Sequence, residues 1–313
     1  MMYRSLPRQS GIAIVTAVAV AALVAALAGF MAFRHSLWLR QVENQHDLAQ
    51  ARGVARAAID LSRLTLRDDA RQNKVDHAQE AWAIPIPNLP VEQGNAGGKI
   101  SDLQGRFNLN NLIASNGQVS MLDKEAYERL LKALGLSPET LVPPLLDWLD
   151  ADSEPRYPGG AEDREYLAGN PPHRAANRPL FDIDELRQVQ GYSDEIVARL
   201  APFVSALPQA GTQVNVNFAP PEVLSALLPS LDLASAQALA RRRDAKPFSN
   251  DSEFKDELSG QVQAEVDPTR LGYESRYFLA DVDARFGRVT VAYRAMLERN
   301  GDQIPRVVWM RRR

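Results

Sequence analysis

An uninterrupted apolar run near the start of the chain constrains the fold most. The 22 residues of Ile12–Phe33 carry no charge, and as a helix they would span about 33 Å, enough to cross the core of a bilayer. No proline occurs between Ile12 and Ile84, so the helix is free to continue beyond the apolar run. We therefore predict one helix from near Ile12 to near Asp69, apolar all round in its first half and amphipathic in its second.

The residues before this run allow three interpretations. Gly11 directly precedes it, and Arg4 and Arg8 precede the glycine. The segment could be a cleaved secretory signal, a signal anchor, or a prepilin leader that is cut between Gly11 and Ile12. The apolar run exceeds the roughly 7–15 residues of a secretory signal, and the two arginines favour a cytoplasmic N-terminus. The leader interpretation leaves the whole apolar helix on the mature protein.

The rest of the chain changes from helical to strand patterns. The pattern predicts a loop at 85–98 and a hairpin at 99–109, followed by a long series of helical signals. Three strand-like segments come after these, at 277–282, 288–297 and 306–310. Neither set of strands would be stable alone, since an isolated hairpin is only marginally stable in water. We expect an α+β protein in which one antiparallel sheet packs on the amphipathic half of the long helix. The helical segments would be an insertion between strands of that sheet.

Composition excludes several classes. The 313 residues have a net charge of −3 and include no cysteine, so there is no large basic surface for nucleic acid and there are no disulfides. The four histidines are scattered along the chain. No nucleophile with an adjacent base stands out, and we therefore do not expect an enzyme.

The segment richest in potential metal-binding side chains is acidic and covers residues 147–166. It holds seven carboxylates and two arginines. Asp150, Asp152 and Glu154 alternate just past a predicted helix end, and Glu162 and Asp163 return after a Gly-Gly turn. Converging carboxylates repel one another unless a hard divalent ion such as Ca²⁺ lies between them. A solvated acidic loop is the alternative, and the lack of neighbouring His or Cys argues against zinc.

Two segments look like helix-hairpin-helix modules, residues 185–200 and 214–243. Neither hairpin has the paired glycines that let backbone amides reach a DNA phosphate. Asp194, Glu195 and Asp232 would also repel phosphate, on which affinity for DNA mainly depends. We predict that these segments serve packing, and no nucleic acid partner is expected.

Taken together, these features resemble the protein K family of the type II secretion system, the large minor pseudopilins. The resemblance covers nearly the whole chain. It rests on Gly11 before the apolar helix and on four motifs: Asp147-Trp148-Leu149-Asp150-Ala151-Asp152, Gly159-Gly160-Ala161-Glu162-Asp163, Asp184-Glu185-Leu186 and Val214-Asn215-Val216-Asn217.

The resemblance implies a type IV pilin-like fold with a large all-α insertion that contains the helix-hairpin-helix-like segments. Its divisions would be a leader (1–11), a transmembrane part (12–33), a pilin-like domain in two parts (34–110 and 271–313) and the inserted helical domain (111–270). It also implies two structural calcium ions in the insertion. By position, their ligands would be Asp150, Asp152, Glu154, Glu162, Asp163 and, less directly, Glu185.

Processing and partners follow from the same resemblance. The prepilin peptidase would cut between Gly11 and Ile12, and the new N-terminus at Ile12 would be methylated. The mature chain would cross the bacterial inner membrane once, with its bulk in the periplasm. It would assemble with minor pseudopilins I and J, and with H, at the tip of a filament of major pseudopilin.

Thr16 is an informative departure from the general pilin pattern. Most pilins carry glutamate as the fifth mature residue, where it pairs with a neighbour's N-terminal amine, and protein K members lack it. A subunit with no subunit above it has no amine to meet, so Thr16 fits a tip that initiates assembly and supports export of folded exoproteins. The alternative is a minor pilin of a type IV or competence system whose helix-hairpin-helix modules handle DNA.

Overall fold

The first element of the structure is a very long helix. The structure is a computed structural model that describes residues 10–313, with side chains from Ile12 onward. Helix α1 covers Ser10–Gln72, 63 residues, which confirms the predicted long helix. The predicted leader lies outside the described residues, except for its last two positions. Within the described range, α1 is the one helix that by length and composition could cross a membrane.

The first half of α1 has no contact with the rest of the protein. Its side chains from Ile12 to Phe33 are exposed, which is the expected state for a segment whose solvent is lipid. Thr16, the polar residue in this run, donates its hydroxyl to the carbonyl oxygens of Ile12 and Ala13 at 3.0 Å. The helix thereby satisfies the hydroxyl internally, as a lipid environment requires.

The second half of α1 lies across an antiparallel sheet of five strands in the order β1-β2-β7-β8-β9. The strands are Ile86–Val91 (β1), Gly94–Asp102 (β2), Tyr277–Phe286 (β7), Val289–Glu298 (β8) and Arg306–Arg312 (β9). Ala51, Ala55, Ile59 and Leu66 are buried from the helix side. Their spacing keeps them on one face of α1, and small alanines let the helix lie close to the strands.

The sheet corrects the prediction for residues 85–109. The segment read as a loop forms β1 and the start of β2, and the expected hairpin across Gln104-Gly105 does not exist. Instead β2 pairs along its whole length with β7, and Phe107–Asn108 (β3) pairs in parallel with Val204–Ser205 (β4). Prolines mark loops in sequence patterns, but an edge strand such as β1 accommodates them because its outer N–H groups need no partner.

Between β2 and β7 lies the helical block, which we define as residues 103–276. It contains 3₁₀ turns at Leu109–Leu112 and Ile183–Gln188. Another 3₁₀ turn, Ala81–Ala83, lies outside the block and precedes β1. Its other elements are β3 and β4, β5 (Val214–Asn215), β6 (Leu271–Gly272), α2 (Met121–Ala133), α3 (Pro138–Leu149), α4 (Asp163–Leu167), α5 (Asp194–Leu200), α6 (Pro221–Leu227), α7 (Leu233–Ala245), α8 (Asp251–Asp256) and α9 (Gly260–Gln263).

The helical block has a hydrophobic core of its own. Tyr127, Leu145, Trp148 and Phe254 are among its fully buried side chains, whereas the core between α1 and the sheet is a separate cluster. The consecutive prolines Pro143 and Pro144 indicate a kink or a break in the sequence, yet α3 continues without a break from Pro138 to Leu149. The block is therefore a second packing unit attached to the helix and sheet.

The C-terminal arginines are not a free tail. Arg311 and Arg312 belong to β9, and the Arg311 guanidinium contacts Asp182 at 3.1 Å and Asp184 at 3.2 Å in the helical block. A short basic run of this kind is typical of a solvated tail, but that interpretation is wrong for Arg311. The edge strand and the block are joined through it.

Candidate metal site

The acidic segment begins where α3 ends. Pro138 in the first turn starts α3, and its last turn buries Asp147 and Trp148 completely or nearly so. At Asp150 the backbone turns to an extended conformation, and its N–H donates to the carbonyl oxygen of Leu146 at 3.0 Å. Asp150 is only 4% exposed. The helix end therefore holds two buried carboxylates one turn apart.

Arg156 folds the following loop back onto these carboxylates. Its backbone N–H donates to Asp147 at 3.0 Å, and its guanidinium donates to Asp147 at 2.8 Å and also to Asp150. Gly160 makes the return possible, since a Cβ there would overlap with the Asp147 carboxylate and the Arg156 backbone. The loop needs a glycine at this point for steric reasons.

The returning chain places Glu162 against the helix end. Glu162 is 3% exposed and stands immediately before α4, where its N–H donates to the carboxylate of Glu165 at 3.1 Å. One carboxylate oxygen from each of Asp150, Asp152 and Glu162 lies within 4.8 Å of the others. Three of the six residues predicted as calcium ligands thus converge on one point. We call this group the acidic cluster.

Several oxygens of the acidic cluster are buried without a hydrogen-bond partner among the described residues. They are Asp150 Oδ1 and both carboxylate oxygens of Glu162. Burial, reinforced by Asp147 and Asp150, raises the pKa of Glu162 to about 7, and burial also raises the pKa of Asp150 against the opposing effect of Arg156. Buried and unpartnered carboxylates are costly, and Arg156 alone does not balance the negative charge of the site.

The other three predicted ligands have different neighbours. Asp163 accepts from the backbone N–H of Ala175 at 3.1 Å and pairs with Arg174 at 3.4 Å. Glu185 accepts from the N–H of Phe181 at 3.0 Å and pairs with Arg178 at 3.3 Å. Glu154 is exposed. None of the three belongs to the acidic cluster, although Asp163 follows Glu162 directly.

The prediction missed two residues at the site, Asn177 and Asp147. Asn177 donates its amide to the carbonyl oxygen of Asp152 at 2.7 Å, and its Oδ1 is buried without a partner. Its backbone has a positive φ of 45°, which asparagine tolerates better than most residues. No spacing rule connects Asn177, 25 residues after Asp152, to the acidic cluster, so only the fold reveals this oxygen.

The donor set fits calcium better than the alternatives. All the converging atoms are oxygens, which suits a hard cation that takes six to eight oxygen ligands in flexible geometry. The cluster holds carboxylates and an amide but neither His nor Cys, which zinc prefers. Asp150, Asp152, Glu162 and Asn177 are the residues that would hold the ion, and a bound ion would neutralise their repulsion.

A second group of acidic side chains lies at the end of α1 and in the loop that follows: Asp69, Asp76 and Glu80. A cation from the protein already occupies its centre. The Arg299 guanidinium contacts Asp69 at 3.0 Å and also pairs with Asp76, and Glu80 accepts from Trp82 Nε1 at 2.9 Å. This group is an internal ion-pair network, and we do not assign a metal to it.

The helix-hairpin-helix-like segments carry little free positive charge. In the second segment, Arg242 pairs with Glu257 at 3.0 Å, and Arg243 donates to the carbonyl oxygens of Val216 and Ala219. In the first, Arg187 pairs with Asp184 and Asp194. These three arginines are engaged within the protein, and the role of the two segments in packing stays a prediction.

The chain matches two family models, both described as type II secretion system protein K. They cover residues 105–209 and 214–272, which is most of the helical block. The type II secretion system protein K of Pseudomonas aeruginosa is 34% identical over 310 residues, covering 96% of this chain and 92% of the relative. The Klebsiella pneumoniae protein of the same name is 31% identical and covers 94% of each.

A solved structure agrees with these sequence matches. A chain in the crystal structure of the GspK-GspI-GspJ complex from the enterotoxigenic Escherichia coli type 2 secretion system aligns with a TM-score of 0.77 and 28% identity. The alignment covers 87% of this chain and 99% of that one. These findings define the class as a component of a bacterial secretion machine. The chain belongs to the protein K family of the type II secretion system, a family of structural components and not of enzymes.

Proposed function

We propose that this chain is the minor pseudopilin at the tip of a periplasmic pseudopilus, where it joins minor pseudopilins I, J and H above a filament of major pseudopilin. In this role it initiates assembly of a filament that supports the export of folded exoproteins. Its pilin-like part is α1 with the five-stranded sheet, and the helical block is an elaboration of that fold. The family membership and the three-chain complex of the solved relative support this assignment.

The observation that carries the tip assignment is the position of the helical block. Gln72, the end of α1, lies 39 residues or about 58 Å beyond Phe33 along the helix axis. The chain just after this end bonds to the block: Asp76 N–H donates to Tyr273 O at 2.8 Å, and Gln79 donates to Asp244 O at 2.5 Å. The block therefore sits at the end away from the membrane, where it would obstruct a further subunit.

Thr16 supports the same placement. A subunit at the tip needs no carboxylate to pair with the N-terminal amine of a subunit above it. An unpaired carboxylate within the membrane would be costly, whereas the Thr16 hydroxyl is satisfied by its own helix. We further propose that the prepilin peptidase cuts between Gly11 and Ile12 and that Ile12 is methylated.

We also propose that calcium stabilises the helical block. The acidic cluster with Asn177 would hold one structural ion. The resemblance to the family implies a second structural ion in the same block. The ions have no catalytic role in this proposal.

Co-expression of the full chain with minor pseudopilins I and J and the prepilin peptidase tests the assignment. We expect a detergent-stable complex that contains one copy of each subunit, and intact-mass measurement should show a chain that begins at methylated Ile12. A Gly11→Val variant should retain the leader and serves as the processing control. Failure to join I and J, or salt-sensitive binding of duplex DNA in a gel shift, would contradict the proposal.

A further inference from the structure

The junction between the two packing units buries more negative than positive charge. Its carboxyl groups come from the end of α1 (Asp69), the loop that follows (Asp76 and Glu80) and the end of β2 (Asp102). Asp76, Glu80 and Asp102 are each less than one-tenth exposed. Within residues 10–313, the cation that pairs with this group is Arg299, which contacts Asp69 and Asp76. One guanidinium cannot balance all of these carboxylates.

The same carboxyl groups attach the helical block to the helix and sheet. Asp76 accepts from the backbone N–H of Ser275 at 2.6 Å. The Asn215 amide donates to Ser275 Oγ at 2.8 Å and to the carbonyl oxygen of Asp76 at 3.3 Å. Gly105 donates its N–H to the carboxylate of Asp102. Since Ser275, Asn215 and Gly105 all belong to the block, a change in these carboxyl groups acts on its attachment.

Glu80 has no cationic partner among the described residues. Its donors are neutral groups: the side-chain amide of Asn73 at 2.6 Å, the backbone N–H of His77 at 3.0 Å and Trp82 Nε1 at 2.9 Å. One carboxylate oxygen of Glu80 lies within 4.8 Å of one from Asp69 and one from Asp76. Ionised carboxylates at this separation in a buried site repel each other, and a proton held between two of them removes that repulsion.

Asp102 also lacks a balancing charge. Gly105 and the Ser275 hydroxyl supply hydrogen bonds to its carboxylate, yet Oδ2 is buried without a hydrogen-bond partner among residues 10–313. Arg106 of the helical block is the nearby cation, and burial lowers the pKa of its guanidinium against the effect of Asp102. No ion pair joins these two side chains in the part of the chain that the structure describes.

The pKa values of the junction follow from this imbalance. Burial, reinforced by Glu80, raises the pKa of Asp69 to about 6 against the opposing effect of Arg299. Burial raises the pKa of Asp76 in the same way, again against Arg299. The pKa of Asp102 is raised to about 6 by burial, and Asp76 acts in the same direction. Glu298, next to Arg299 at the end of β8, has cations of its own in Arg276 and Arg306.

We propose that this junction is a proton-controlled attachment, which holds the helical block firmly when its buried carboxyl groups are protonated and loosens when they ionise. In an opened junction the same groups would face water and ionise near pH 4. Closing the junction therefore takes up protons between about pH 4 and 6. The added stability of the closed state is complete below about pH 4 and is lost as pH rises through about 6.

Hydrogen exchange of the full chain in detergent tests the proposal. Mass spectrometry at pH 5, 6 and 7, corrected for the intrinsic exchange rate at each pH, would follow peptides that contain the amides of Asp76 and Ser275. We expect their protection to fall by about tenfold between pH 5 and 7 from Asp102 alone. Peptides from α2 (Met121–Ala133), inside the core of the block, should keep their protection because only the junction opens.

Two neutral variants identify the groups responsible. Asp102→Asn and Asp69→Asn keep an acceptor oxygen but cannot ionise, so each should flatten the pH profile and raise the protection of the junction at pH 7. Asp256→Asn, at an exposed carboxyl of α8, is the matched control and should follow the wild type. Junction protection that does not change with pH, that falls in parallel with α2, or that falls equally in both variants and the wild type would overturn the proposal.

Discussion

At the scale of single residues, the acidic cluster depends on which oxygens the fold leaves without partners. The segment 147–166 contains seven carboxylates, yet only Asp150, Asp152 and Glu162 converge. Arg156 neutralises part of their charge, and the fold supplies Asn177 from a distant loop. Residue type alone could not separate Glu162 from Glu154.

The response of stability to calcium should therefore depend on Glu162 and not on Glu154. Calcium that binds only the folded state raises the melting temperature, so chelation should lower it for the wild type. Glu162→Gln removes a buried charged ligand and should abolish most of this difference. Glu154→Gln, at an exposed position of the same loop, is the control and should keep it. Thermal melts of the full chain with calcium and with chelator give the comparison, and equal loss in both variants would contradict the cluster.

Asp102 should give the protein an unusual pH dependence. Burial raises its pKa to about 6, against the opposing hydrogen bonds of Ser275 and Gly105. The folded state then binds more protons than the unfolded state between about pH 4 and 6, so this carboxyl's contribution to stability is highest below that range and is lost as pH rises through it. The free energy of unfolding of Asp102→Asn minus that of the wild type should therefore increase by up to about 3 kcal/mol as pH rises from 4 to 7.

Asp267 provides a control of opposite sign for that measurement. Hydrogen bonds from Thr269 lower its pKa, so its contribution is present at neutral pH and is lost as pH falls. Asp267→Asn should therefore lose stability relative to wild type as pH rises, and urea unfolding at several pH values measures both differences. Parallel pH profiles for wild type and Asp102→Asn would show that Asp102 ionises normally in the folded state.

At the scale of elements, α1 combines an apolar part and an amphipathic part in one continuous helix. Its apolar first part is exposed all round, which fits a single-pass membrane anchor, and its second half buries one face on the sheet. The two parts of α1 differ in their side chains and not in their backbone, and no proline interrupts the helix between them. The same helix therefore anchors the protein and organises its sheet.

Leu66 and Leu64 distinguish the two faces of α1. Leu66 is fully buried against the sheet, whereas Leu64 is 37% exposed. Leu66→Ala should lower the free energy of unfolding by about 2–5 kcal/mol because it leaves a cavity, and Leu64→Ala should cost less than about 1 kcal/mol. Chemical denaturation of the full chain in detergent measures both, and equal losses would show that the helix is not held by this face.

At the scale of the whole molecule, Arg299 joins the two packing units. It is 4% exposed and contacts Asp69 of α1, Asp76 of the following loop and the carbonyl oxygen of Ser275, at 2.7 Å, in the helical block. Its guanidinium also lies 4.8 Å from the ring centroid of Phe278. One side chain thus connects the end of the long helix, the sheet and the block.

Loss of this connection should be far more damaging than loss of a surface ion pair. Arg299→Gln leaves Asp76 buried without its cation and should cost about 3–5 kcal/mol. Arg306→Gln removes one partner of Glu298, but the Arg306 side chain is 68% exposed and Arg276 also pairs with Glu298. Its effect on stability should therefore be much smaller. Limited proteolysis of the full chain adds a structural measurement, since Arg299→Gln should release the helical block as a fragment. Similar stability and cleavage in the two variants would contradict this role.

Much of the architecture could be predicted because it follows from local patterns. The charge-free run and the absence of proline up to Ile84 predict the long helix, and the alternating patterns near 277–310 predict strands. Residues 85–109 could not be predicted in this way. Their prolines and glycines are typical of loops, and only pairing with other strands makes them strands: β1 with β2, β2 with β7 and β3 with β4.

By itself, the sequence determined the long membrane helix, the order of elements, the acidic segment and the family, because periodicity, hydropathy and short motifs are properties of neighbouring residues. Tertiary structure decided which carboxylates form the acidic cluster, that Asn177 and Arg156 belong with them, and that Arg311 and Arg299 join the two packing units. These depend on contacts between positions far apart in the chain, whose burial and charge balance arise only when the packed elements bring them together.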